Sequence, residues 1–250
     1  YFSVIQLSGL YCCKQIQCYC KFKIMKVALI KEYSESFKEA LIKEKFYPDL
    51  HLNDLVANWQ LQMNLESVNL AENFDKSLDS HISHALWGGS RHSAKSLMKL
   101  MIQTDKEFMR SGFRDLFNEQ KDLALRINRF KDHCDEIFNL IRDKDKLYNS
   151  HFHDDKKYPL IYLACTYPES YCFWDYPLFE KMMENLGALN TPSEIETERC
   201  YKSMRAIFGI IQKDEVTLSV YQNHLRKNKV NDAINLIFMN HFSAYTALKK

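Results

Sequence analysis

Two stretches of the sequence carry side chains that could do chemistry. "HFHDD", His151 to Asp155, sets two imidazoles two residues apart beside neighbouring carboxylates. Borderline ligands of that kind suit a divalent metal ion, with His92 or His133 to complete a shell. The same residues also make an ordinary polar loop in which Asp154 or Asp155 caps the following helix. The absence of a second ligand pair favours the loop. The other stretch is "TYPESYCFWDYPLFEKMMENLG", Thr166 to Gly187, with six aromatic rings and two prolines. Stacking of an aromatic ring on an unpaired base is worth about 1–3 kcal/mol. Aromatic clusters at helix junctions are more often core, because Tyr and Trp suit core margins where their polar tips find partners. Tyr171 and Trp174 fall on the turn before Asp175 and are the two rings placed to stack; Phe179, Met182 and Met183 are expected in the core.

Cations form the third group. Arg91, Lys95 and Lys99 fall on one predicted helix, Arg110, Arg114 and Arg126 on the next segments, and Arg226, Lys227 and Lys229 near the end. Clusters of this sort hold phosphates. Solvated helix faces look the same, and acids such as Asp105, Glu107 and Asp115 are interleaved. The net charge of +2 gives no global attraction to nucleic acid, so DNA contact would need a local patch. Phosphate-cradling glycine loops and the nucleophile elbow are missing: there is no GxxxxGK[ST], GxGxxG or GxSxG. The chain is therefore not expected to hydrolyse nucleotides by itself, and no catalytic residue is assigned.

The elements that must position these groups are helical. Six glycines and five prolines in 250 residues are too few for the turns of a barrel or sandwich. Apolar residues recur at helical spacing: Leu29, Tyr33, Phe37, Ala40 and Leu41 form one stripe, and Leu55, Trp59 and Met63 another, with Asn53 as its cap. Gly88-Gly89 breaks the chain before a helix over about 90–102. Thr104 with Glu107 reads as a capping box, and a long amphipathic helix follows over about 118–142. "YPLIYLAC" is a buried run, helical or extended. Asp175 before Pro177 reads as a cap with proline in the first turn, and Gly187 as a C-terminal glycine. Thr191, Pro192 and Glu194 signal a helix over 194–212; two more are expected over 217–227 and 231–248. The reading is a mainly α fold, a multi-helix bundle with two helical lobes and little or no sheet. The polar stretch before Pro159 separates lobe 25–145 from an aromatic-rich lobe 146–250.

Cysteines divide in the same way. Cys134, Cys165, Cys172 and Cys200 occur singly and read as reduced, buried thiols of a cytoplasmic protein. Cys12, Cys13, Cys18 and Cys20 crowd the first residues. Met25 is the expected start of the folded chain, with residues 1–24 a non-native or disordered leader. No run of 18 apolar residues is present to span a membrane.

From Trp87 to Leu186 the order of motifs resembles the N-terminal region of McrB-type AAA+ proteins of bacterial restriction systems. The matching positions are Phe113, Arg114, Leu116, Phe117, Glu119, Asp122, Leu123, Arg126, Ile127 and Phe130. After the His/Asp loop come Tyr162, Leu163, Tyr167, Pro168, Tyr171, Trp174 and Phe179. Trp174 stands where that pattern has tyrosine, and Tyr158-Pro159 departs from its small residues. The resemblance implies a non-catalytic recognition or adaptor region that contributes to DNA target binding. Its alternative is a module that docks on an AAA+ or nuclease partner without touching DNA. GTP or ATP with magnesium would belong only to a downstream AAA+ module.

Overall fold

The computed structural model describes residues 27–79, 86–87, 93–144, 146 and 148–249. The expected leader, the N-terminal cysteines, Gly88-Gly89 and Arg91 lie outside the described residues. Eleven helices and no strand are found among them, the mainly α fold the glycine and proline counts suggested. They are α1 (Val27–Ile42), α2 (His51–Gln62), α3 (Leu70–Ser77), α4 (Ala94–Thr104), α5 (Lys106–Leu116), α6 (Leu123–Lys144), α7 (Lys157–Thr166), α8 (Tyr176–Asn185), α9 (Thr197–Ile211), α10 (Glu215–Lys227) and α11 (Phe238–Leu248).

Packing does not follow chain order across residue 146. Helix α1 lies against α9, α10 and α11, while α7 lies against α2 and α6. One group of helices surrounds Tyr162, whose ring meets Trp59, Phe74, Phe113 and Phe130 at 5.7–6.1 Å. The other surrounds Phe37, which meets Phe238, Phe242 and Tyr221 at 5.5–6.3 Å. Helix α6 packs on α9, and the buried residues of both groups form one continuous core. Helix α7 is buried from Pro159 to Cys165 on every face, so its sequence shows no apolar stripe.

Several local signals act one step from where the sequence places them. Asp105, not Thr104, caps α5 by accepting from the Phe108 N–H; Thr104 still belongs to α4 and bonds back to the Leu100 carbonyl. Asn53 is buried inside α2 rather than capping it, and α4 starts at Ser93, which shares a capping box with Ser96. Helix α1 buries Phe37 and Leu41 of the expected stripe, with Ile30 and Ser34 buried in place of Leu29 and Tyr33. Thr191 does not cap: Ser193 and Glu196 close a turn there, and α9 begins only at Thr197. The last helix starts at Phe238, after Asn235 accepts from the Ile237 N–H. Asp175 caps α8 through the Leu178 N–H as expected, and Gly187 ends it at φ 69°, a left-handed conformation that favours glycine. Gly112 lets α5 approach α6 closely, since a Cβ there would meet the His133 ring at 3.1 Å.

Candidate functional site

Helix α5 ends at Leu116, and a short connector leads into α6, whose first N–H groups are capped by Asp122 through Ala124 and Leu125. One turn into α6 stands Arg126, on the face that turns toward the core. Its Nη1 donates to the Leu116 carbonyl at 3.0 Å, satisfying a group that the end of α5 leaves open. Its Nη2 donates to the Tyr171 hydroxyl at 2.6 Å, and that hydroxyl donates to Glu119 Oε1 at 2.9 Å. The Arg126–Glu119 ion pair itself is loose, at 3.8 Å. Burial pushes the Tyr171 phenol up to about 12, against the opposing pull of Arg126. Arg126 is 2% exposed, and its Nε has no hydrogen-bond partner. A buried guanidinium with a distant carboxylate and an idle donor is costly unless something completes its shell.

This cluster forms the floor of a polar cleft of about 420 Å3. Its far wall is α9, where Arg205 donates to the Ser170 carbonyl at 2.9 Å and to Glu198 at 3.0 Å, and Lys202 approaches the same Glu198 at 3.8 Å. A second groove of about 390 Å3 continues from it along Ala124, Ile127 and Ile195, with Asp122 and Glu198 on the shared rim. Across both, six cations (Lys121, Arg126, Lys156, Arg199, Lys202, Arg205) line the walls with four carboxylates (Glu119, Asp122, Glu196, Glu198), and Asp115 and Glu194 just outside pair with Lys121 and Lys156.

The structure brings together two of the residues singled out in the sequence, Arg126 and Tyr171, although 45 positions separate them. Six other described cations named in the sequence sit on acids. Lys95 and Lys99 both reach Asp75, at 3.1 and 2.7 Å. Arg110 bonds Glu107 and the Ser67 carbonyl, and Arg114 bonds Glu66 at 2.7 Å. Arg226 pairs with Asp232 and Lys227 with Glu44. The two turn aromatics do not present a stacking face. Tyr171 is 3% and Trp174 9% exposed; Tyr171 packs edge-on against Tyr201, and the Lys156 ammonium lies 4.6 Å from the Trp174 ring centre. Phe179, Met182 and Met183 are core, as expected.

The His/Asp loop is closed instead. His151 and His153 both turn inward, which Phe152 permits by taking φ 65°. His151 Nδ1 accepts from the His153 N–H, so its Nε2 carries the proton donated to Asp135 at 2.8 Å. His153 Nδ1 donates to the His151 carbonyl at 2.5 Å, leaving Nε2 to accept from the Tyr162 hydroxyl at 2.8 Å. Burial lowers the His153 imidazole to about 3, so it is neutral near pH 7. Asp155 caps the start of α7 through the Lys157 N–H, and Asp154 is exposed. Among the described residues no group of three or more His, Cys, Asp or Glu stands where it could hold a metal ion. His151 and His153 thus belong to a buried hydrogen-bonded network, Asp155 to a helix start and Asp154 to the surface.

Sequence reasoning passed over Lys202 and Arg205. The signal is present, since Glu198, Lys202 and Arg205 recur at i, i+4 and i+7 on one face of α9. Nothing in the sequence places that face opposite Arg126. The chain matches no family model, no curated protein and no solved structure.

Proposed function

We propose that this chain is a non-catalytic helical docking module that binds a protein partner and leaves DNA uncontacted. One observation carries the reading: the described cations of the candidate basic face, the buried Arg126 aside, sit on neighbouring carboxylates rather than offering free charge to a phosphate backbone. Lys95 and Lys99 share Asp75, Arg114 holds Glu66, and Arg110 holds Glu107. A DNA-binding face offers uncompensated positive charge, whose binding strength comes from releasing counterions held by phosphates. A mosaic of paired charges suits a protein surface, where complementary patches give register and specificity. The buried Tyr171 and Trp174 rings support the same conclusion, because a base has no free aromatic face to stack on there. The resemblance to McrB-type proteins names the partner by class, an AAA+ module or nuclease subunit, with any nucleotide and magnesium held by the former.

Fluorescence anisotropy with a labelled DNA duplex in about 50 mM salt tests the reading, since contacts to several phosphates give a steep, linear loss of log affinity with log salt. No saturable binding is expected. Saturable binding that falls steeply with salt, and that Lys95→Glu with Lys99→Glu abolishes, would overturn it in favour of DNA target recognition.

A further inference from the structure

The Arg126 cleft has the features of a seat that one of the chain's own carboxylates now fills. Glu119 is the acid nearest the buried guanidinium, yet it stays 3.8 Å away and is held by the Tyr171 hydroxyl. It belongs to the connector between α5 and α6 and keeps 41% of its side chain exposed, so it can swing into water without disturbing a helix. Beneath it the hydrogen bonds run in series, Arg126 Nη2 donating to the Tyr171 oxygen and the Tyr171 O–H donating on to Glu119, while Arg126 Nε has no partner. Opposite stand Lys202, 57% exposed, and Arg205, 32% exposed, which share a single acid. The cleft then runs directly into the apolar groove of Ala124 and Ile127, whose edge is Ile195, 89% exposed.

We propose that this composite groove is the docking seat for an acidic peptide segment of the partner, a proposal that rests on the docking reading above. A partner carboxylate displaces Glu119 and accepts from the Tyr171 hydroxyl and Arg126, with Lys202 and Arg205 on its other side. An aliphatic side chain close to it in the segment lies along Ala124, Ile127 and Ile195. Charge complementarity at the seat itself points to this occupant: Arg126, Lys202 and Arg205 answer only to Glu119 and Glu198, and displacement of Glu119 leaves the buried guanidinium free to take another carboxylate. The apolar extension separates a peptide from a free phosphate, which has nothing to place there. Glu198 and Asp122 on the shared rim oppose a continuous polyanion such as a nucleic-acid backbone.

The test is anisotropy of the full chain with a fluorescein-labelled peptide of alternating leucine and glutamate, beside the same peptide with glutamine for glutamate. The glutamate peptide is expected to bind saturably and the glutamine peptide about tenfold more weakly, the scale of one charge-assisted hydrogen bond. Glu119→Gln removes the internal competitor and should tighten the glutamate peptide several-fold; Lys202→Glu, at an exposed position, should weaken it about tenfold. Circular dichroism of both variants should match the parent chain. Equal binding of the two peptides, or no response to Glu119→Gln, overturns the proposal. Inorganic phosphate that displaces the peptide at micromolar concentration also overturns it, making the cleft a phosphate site. Failure of the peptide with no DNA binding leaves the docking reading standing at another surface; duplex DNA that binds and displaces the peptide defeats both.

Discussion

Two buried polar clusters stand in this helical core, each built round a tyrosine hydroxyl, and they differ in whether their hydrogen bonds close. In the cluster of Asp135, His151, His153 and Tyr162, each imidazole nitrogen has a partner, and the tautomers follow from that geometry. In the cluster of Arg126, Tyr171 and Glu119, a full positive charge is buried against a carboxylate at 3.8 Å, with one donor unmatched and a cleft above it. A satisfied network rigidifies a core, while a partly satisfied one retains free energy that a ligand can recover. The loop that looked like a metal site in sequence is the closed cluster, and the segment that looked like a base-stacking platform contributes its tyrosine to the open one.

The comparison can be broken most forcefully at Tyr162. Its ring stands among Trp59, Phe74, Phe113 and Phe130, and its hydroxyl serves His153, so Tyr162→Ala should cost about 3–5 kcal/mol in denaturant unfolding. A cost under about 1 kcal/mol would show that this cluster does not organise the core. The next largest effect is acid sensitivity. Burial lowers His153 to about 3 and His241, which accepts from Tyr221, to about 4. An imidazole with a folded pKa below its unfolded value of about 6.5 stabilises the fold fully above that value. The contribution is lost as pH falls toward the folded pKa, so between pH 7 and pH 5 each should remove about 2 kcal/mol of stability. Unfolding free energies that are flat across this window would show that the imidazoles reach solvent.

Much of this architecture is legible locally. Asp175, Pro177 and Gly187 announce α8 because capping and the left-handed stop are decided within a few residues. Thr104 misleads for a related reason: Thr104 and Asp105 can both cap, and the choice goes to the residue whose backbone is extended, Asp105 at φ −145°. The helical burial of α7 shows no period, since neighbours cover it on all sides. Glu66 and Arg114 form an ion pair 48 positions apart, and Arg126 meets Tyr171 across 45, so neither the neutralised basic face nor the cleft could be read from spacing.

Smaller effects sharpen the contrast between the clusters. Tyr171→Phe keeps the ring against Tyr201, and Glu119, 3.8 Å from Arg126 and partly exposed, can close onto the guanidinium that loses the hydroxyl, so about 1 kcal/mol is expected. Tyr162→Phe strands the buried His153 Nε2 and should cost more, about 1–3 kcal/mol, in the same unfolding assay. Equal costs would erase the distinction between open and closed. Glu119→Gln should change stability by no more than about 0.5 kcal/mol, as for a surface position, while altering binding.

The most direct measurement is an NMR titration of the isotope-labelled chain with the alternating leucine–glutamate peptide. Amide shifts are expected at residues 119–127, 170–171 and 195–205, with the His151–Tyr162 network unmoved. Shifts centred instead on Lys95, Lys99, Arg110 and Arg114 would contradict the docking seat.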